Sequence, residues 1–230
     1  NLIADRKYAI ELFSALIPLK LTWVGLATSS AGMDDELIGI FRKSGCKGLL
    51  IGFESICQDS QSYVNKGVNT VSGYADLMKK LHDNGILVQG CFAFGSDGED
   101  ASVFEQTVEM IQKVKIDLPR YSILTPFPRT KLYAQLESEG RIVERDWAMY
   151  DVEHCVFIPA KMTKEELEKG ITWAWKETYK ASAIAERLAH RQNHLWLSFP
   201  TNLGYRGYAK KYERFNRDVM CDNSDIPILL

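Results

Sequence analysis

Two apolar runs framed by glycine constrain this chain more than anything else in it: Gly45 to Ser55, GCKGLLIGFES, and Gly85 to Gly95, GILVQGCFAFG. Each enters through glycine and leaves beside a polar or acidic residue, the pattern of a strand buried on both faces in a parallel sheet. Such a strand presents the residues at its carboxyl end to a ligand. Glu54 and Ser55 are therefore candidate site residues.

The intervening segments have helical spacing. Ala9, Leu12, Phe13, Leu16 and Ile17 form an amphipathic helix closed by Pro18, and a strand is expected over Leu21–Ala27. Asp34 and Asp35 start a helix carrying Leu37, Ile38 and Phe41. Ser72 is placed to cap the next, which ends at Asn84-Gly85. After the strand Ile86–Phe94 comes the acidic loop Gly95-Ser-Asp-Gly-Glu-Asp100, then a helix with Val103, Phe104, Val108 and Ile111. A fourth strand begins near Tyr121 and stops at Pro126. Alternation at a period of roughly 35 residues implies right-handed crossovers and a parallel α/β sheet with all carboxyl ends on one side. That side is where ligands bind in such folds.

Beyond Gly140 the pattern changes. Residues 141–159 lack a period and read as a connection folded back on the sheet. Thr163 and Glu166 form a capping box opening a long helix to about His190, with Ile171, Trp175, Thr178, Ser182 and Ala185 as its buried stripe. A last helix carries Tyr205, Tyr208, Tyr212 and Phe215 on one face. Two parts are thus expected, 1–140 and a mostly helical extension, 141–230.

Several function classes are disfavoured. A net charge of -2 without long charge blocks gives no electrostatic case for nucleic acid. No apolar run reaches the ~18 residues of a membrane span. Five widely separated cysteines resemble reduced thiols and point to a cytoplasmic setting, with Cys46 and Cys91 expected as core-filling residues. They have no local spacing for an iron-sulfur cluster. There is no zinc-ligand pair and no nucleophile elbow.

Each candidate has a plainer reading. Glu54 can be a rim salt bridge, Asp100 a helix cap, and Asp97 lies nearer the strand end. His82 can ease a helix terminus, and His154 is the one histidine in a loop able to reach the open end of the sheet.

Taken together, Asn1-Leu-Ile-Ala-Asp5, GCKGLLIGFES, LHDNGILVQGCFAFGSDGED, Leu124-Thr-Pro-Phe-Pro-Arg-Thr130, GRIVERDWAMYD and FIPAKMTKEEL resemble the radical S-adenosylmethionine superfamily, in its cobalamin-binding branch with a carboxyl-terminal extension. The resemblance implies about the last four strands of a partial (β/α)6 barrel, with the first strands and the cysteine loop for a 4Fe-4S cluster preceding Asn1. It implies S-adenosylmethionine across the strand ends near Asn1, Glu54, Ser55, Phe94, Gly95, Asp97, Thr125 and Pro126. No catalytic residue and no metal ligand are assigned to this chain. Trp147, Tyr150 and His154 are implied as a substrate lid. The implied chemistry is reductive cleavage of S-adenosylmethionine to an adenosyl radical, or methyl transfer through cobalamin, on a small molecule of lipid or polycyclic type, in partnership with the missing part of the barrel. One departure stands out: Arg129 occupies a turn position where the family has glycine, so a positive φ there would be strained. The competing readings are a cluster-free binding or scaffold module, and an ordinary α/β barrel hydrolase or isomerase, for which the chain lacks a convincing acid and base pair.

Overall fold

The computed structural model describes residues 3, 5–30, 34–54, 71–189 and 194–221, with only the backbone of 54, 71, 72 and 213–221. Four strands, β1 (Trp23–Thr28), β2 (Cys46–Glu54), β3 (Leu87–Phe94) and β4 (Arg120–Ile123), form one sheet in the order β1-β2-β3-β4. All three pairings are parallel. The helices α1 (Arg6–Leu16), α2 (Asp35–Lys43), α3 (Val71–Asp83) and α4 (Val103–Val114) precede β1, β2, β3 and β4 respectively. The extension adds α5 (Lys131–Ser138), α6 (Lys164–Thr178), α7 (Ala181–Ala189) and α8 (Leu195–Cys221).

Local chemistry sets the helix starts. Asp34 accepts from the Leu37 amide at the head of α2, and Asp5 from Tyr8 at the head of α1. The Thr163–Glu166 capping box is formed at α6. Gly85 takes φ +70 just past α3, where a side chain at positive φ would be strained.

One face of the sheet carries the helices. Phe13 of α1 stacks on Trp23 at 4.7 Å, Phe53 meets Tyr74 of α3 at 4.8 Å, and Phe94 meets Phe104 of α4 at 4.8 Å. Tyr121 meets Trp175 of α6 at 5.3 Å, so the extension packs on this same face. Alternation along the strands turns the other set of side chains away from these helices. In register, Leu26, Leu50 and Gln89 form one row of that second face, and Thr28, Gly52, Cys91 and Arg120 the next. Val24 and Leu26 are 69% and 60% exposed there, which marks a sheet face not covered on the β1 side.

The long helix expected over 163–190 is two helices. It breaks at Tyr179-Lys180, and Arg187 Nη1 reaches back to the Thr178 carbonyl at 2.7 Å, capping the end of α6. The break rotates the second half, so Ser182 and Ala185 are exposed while Ala183, Ile184 and Arg187 are buried. Cys46 is buried as expected, whereas Cys91 is half-buried on the second face. His82 does more than ease a helix end: its Nε2 lies 3.2 Å from buried Asp117, which also accepts from the Val88 amide at 2.7 Å.

Candidate functional site

The carboxyl rim of the sheet is stepped. Thr28 and Gly52 pair at the top of β1 and β2, while β3 and β4 continue to Phe94 and Ile123, with the Leu124 amide donating to the Phe94 carbonyl at 2.8 Å. Glu54 closes β2 opposite Phe92, after an irregularity in register between Gly52 and Glu54. Asn1 and Ser55 lie outside the described residues.

At the end of β3, Phe94 is 1% exposed and points into the helix-side core against Phe104 and Tyr121. Its backbone, not its ring, reaches the rim. Gly95 follows at φ +109, and a Cβ there would lie 3.0 Å from Leu167 and 3.2 Å from Phe157, so glycine is required on both counts. Its amide and that of Ser96 donate to the Glu99 carboxylate at 2.7 and 3.0 Å. Glu99 is almost wholly buried and organises the loop from within. Sequence reasoning missed it, because three neighbouring acids in Asp97-Gly-Glu-Asp100 carry no signal of which one turns inward.

The two acids flanking Glu99 have other work. Asp100 accepts from the Ser102 amide at 2.9 Å and hydroxyl at 2.6 Å, closing the turn into α4. Asp97 faces Arg141 at 2.6 and 3.1 Å, and the guanidinium hydrogen bond holds its carboxyl below the usual range. Lys161 Nζ adds a bond to the Gly98 carbonyl at 3.2 Å. The loop after β3 is thus fastened by the extension.

At the end of β4, Thr125 and Pro126 are buried, and the Thr125 hydroxyl donates to the Ile123 carbonyl at 3.0 Å. The turn beyond them does place Arg129 at φ +66.

Residues 141–159 do fold back on the sheet. The Ile123 amide donates to the Val152 carbonyl at 2.7 Å, and Ile142 bridges Phe157 in antiparallel sense. Of the three lid candidates, Trp147 is 57% exposed and lies 4.9 Å from the Tyr150 ring. Tyr150 is buried, its hydroxyl donating to the Glu144 carbonyl at 2.8 Å. His154 is buried, with Nδ1 2.7 Å from Asp151 Oδ2 and Nε2 without a hydrogen-bond partner. The Asp151 hydrogen bond outweighs burial and raises the imidazole pKa. Beside it, Tyr208 of α8 donates to Glu153 at 2.5 Å.

Among the described residues no three His, Cys, Asp or Glu side chains come together to hold a metal. Burial pushes the Cys46 thiol up to about 12 and that of Cys155 up to about 11, the reverse of what a thiolate ligand needs. These residues do not fit an iron-sulfur cluster. What the rim offers is backbone amides and carbonyls at four parallel strand ends, two of them walled by the extension.

No family model matches the chain. It is 32% identical over 197 residues to bacteriochlorophyllide d C-12(1)-methyltransferase of Chlorobaculum tepidum, covering 85% of this chain and 43% of that protein. It is 25% identical over 179 residues to the anaerobic magnesium-protoporphyrin IX monomethyl ester cyclase of Cereibacter sphaeroides, covering 77% of this chain and 29% of that one. The chain therefore spans less than half the length of these relatives. In fold it is similar to the radical S-adenosylmethionine methyltransferase TsrM from Kitasatospora setae, solved with cobalamin and a 4Fe-4S cluster. That likeness has a TM-score of 0.53 and 17% identity, over 93% of this chain and 49% of TsrM.

Proposed function

From the premise that the chain belongs to the radical S-adenosylmethionine superfamily, in its cobalamin-binding branch, we propose that it forms the later strands and closing wall of a methyltransferase acting on a hydrophobic polycyclic or lipid substrate. The observation that carries this reading is the likeness to a bacteriochlorophyllide methyltransferase together with a parallel sheet whose second face is open at β1, where Val24 and Leu26 are exposed, and is reached by Tyr205 of α8 over Gln89 of β3.

S-adenosylmethionine is the methyl donor in this reading and lies across the strand ends. Glu54, closing β2 opposite Phe92, borders it, and Asn1 and Ser55 are assigned to the same site by their motifs alone. The backbone at Phe94, Gly95, Thr125 and Pro126 borders its adenosine, with Gly95 fixed in position by Glu99. Asp97 contributes by holding the loop through Arg141, and not by a free carboxylate. Trp147, Tyr150 and His154 cover the substrate and exclude water. The 4Fe-4S cluster and cobalamin belong to parts of the protein outside these residues, and the first strands of the barrel pair with β1. Small side chains on the second face, Gly52, Cys91 and Ala93, leave room for a flat ligand.

The test is anaerobic expression of the full reading frame carrying this chain, reconstitution with iron, sulfide and cobalamin, and incubation with reductant, methyl-labelled S-adenosylmethionine and a chlorophyllide or hopanoid acceptor. Label in the acceptor is the expected result. Reconstituted protein that neither consumes S-adenosylmethionine nor labels any acceptor would support the scaffold reading instead.

A further inference from the structure

The first turns of α8 are built inside out. Positions 198 and 202 face the protein, and they are Ser198 at 1% and Asn202 at 0% exposure. Asn202 is fully engaged there, accepting from Arg187 Nη2 at 2.9 Å and donating to the Ser198 and Asp117 carbonyls at 2.9 and 3.3 Å. The apolar residues point the other way. Leu195, Trp196, Phe199 and Leu203 are 42%, 66%, 50% and 47% exposed. At roughly 100° per residue these four form one stripe, about a third of a turn from the buried positions 198, 202, 209 and 212. The first turns of α8 are held by hydrogen bonds and its later turns by Tyr205, Tyr208 and Tyr212 around Trp175, so the outward stripe has no part in seating the helix.

The charge pattern identifies what covers it. The chain as a whole has slightly more acidic than basic residues, yet no Asp or Glu occurs from His194 to Tyr212, while Arg206, Lys210 and Lys211 do. Lys210 continues the stripe along the same side of the helix, and Lys210 and Lys211 are exposed, whereas half-buried Arg206 turns back to donate to the Tyr179 carbonyl at 2.8 Å. At the other end, His194 borders a polar groove with Arg42, Lys47 and Asp83. The apolar stripe thus carries an indole at its amino end, runs on into exposed Lys210, and has basic side chains in excess at both ends. Aromatic and aliphatic side chains beside lysine and arginine are the chemistry of a helix lying in the headgroup region of an anionic bilayer. No helix among the described residues is long and apolar enough to cross a membrane, so the contact is with its surface.

We propose that the Leu195-Trp196-Phe199-Leu203 face of α8 docks the protein on a membrane surface containing anionic phospholipid. The contact is independent of the methyltransferase reading.

The full-length protein is to be floated with vesicles of phosphatidylcholine containing phosphatidylglycerol, and with phosphatidylcholine alone. Binding to the anionic vesicles is expected, weakened by salt. It should fall about tenfold or more in Trp196→Gln/Phe199→Gln, and also in Lys210→Glu/Lys211→Glu, whose exposed side chains test the same contact if the first variant fails to fold. Trp196→Phe should bind and lose the emission that brominated acyl chains quench in the wild type. Wild-type protein that does not bind the anionic vesicles overturns the proposal, as does binding untouched by both double variants. Loss of self-association in the first variant, without vesicle binding by the wild type, assigns the face to a second copy and equally overturns it.

Discussion

Arg141 grips Asp97 with both terminal guanidinium nitrogens, at 2.6 and 3.1 Å, tying the first residue of the extension to the loop that ends β3. The arginine is mostly buried and also bonds Glu139 at 2.9 Å and the Ile158 carbonyl at 2.7 Å, whereas the aspartate is half exposed. The extension therefore sets the shape of the rim. Arg141→Ala should cost about 1 kcal/mol, because one partner is solvent-screened, and should speed amide exchange at residues 95–98. Unchanged exchange there would mean that Glu99 alone shapes the loop.

Glu99→Ala should be the more damaging change. It strands the Gly95 and Ser96 amides, which now donate to a buried carboxylate, at a cost of about 2–3 kcal/mol. Glu99→Gln keeps an acceptor and should lose roughly half of that. Chemical denaturation of the two variants distinguishes the outcomes.

Gly170 of α6 faces Phe104 of α4 so closely that an added Cβ would lie 2.1 Å from the ring. Gly170→Ala should therefore destabilise by about 2–3 kcal/mol, although alanine is the better helix former. A variant as stable as the wild type would show that α4 and α6 can separate at little cost.

Arg129 is exposed and sits at φ +66. Arg129→Gly should raise stability by about 1 kcal/mol through relief of that backbone strain, read as a higher melting temperature. A lower melting temperature would mean that the arginine side chain has a compensating role.

Burial pushes the Asp117 carboxyl up to about 7, against the opposing pull of the Val88 amide and Arg187. A raised folded-state value means that its contribution is fully present below about 3.8 and is lost as pH rises through about 7. Asp117→Asn should flatten the stability profile across that window. An identical slope in wild type and variant would assign the titration elsewhere.

The β/α alternation was legible because a strand buried on both faces needs an unbroken apolar run and each crossover helix needs its own 3.6-residue stripe. Asp34, Thr163, Gly85 and Gly95 marked boundaries by local backbone chemistry alone, and the family could be recognised from the same segments. Arg129 was marked as a strained position only by the resemblance, which has glycine at that turn, and it does take φ +66.

Only the tertiary structure decided which acid of the 97–100 loop turns inward, that Phe94 offers its backbone and hides its ring, and that the helix after Thr163 breaks at Tyr179. Glu99 turns to the Gly95 and Ser96 amides while Arg141 takes Asp97, Phe94 packs on Phe104, and Arg187 caps the broken helix, and periodicity carries no information about which individual side chains make such contacts. The outward stripe of α8 is the sharpest case. Its period is visible in the sequence, but which face of the first turns is inside was set by the hydrogen bonds of Asn202, together with Tyr208 and Tyr212 closing on Trp175 further along the helix.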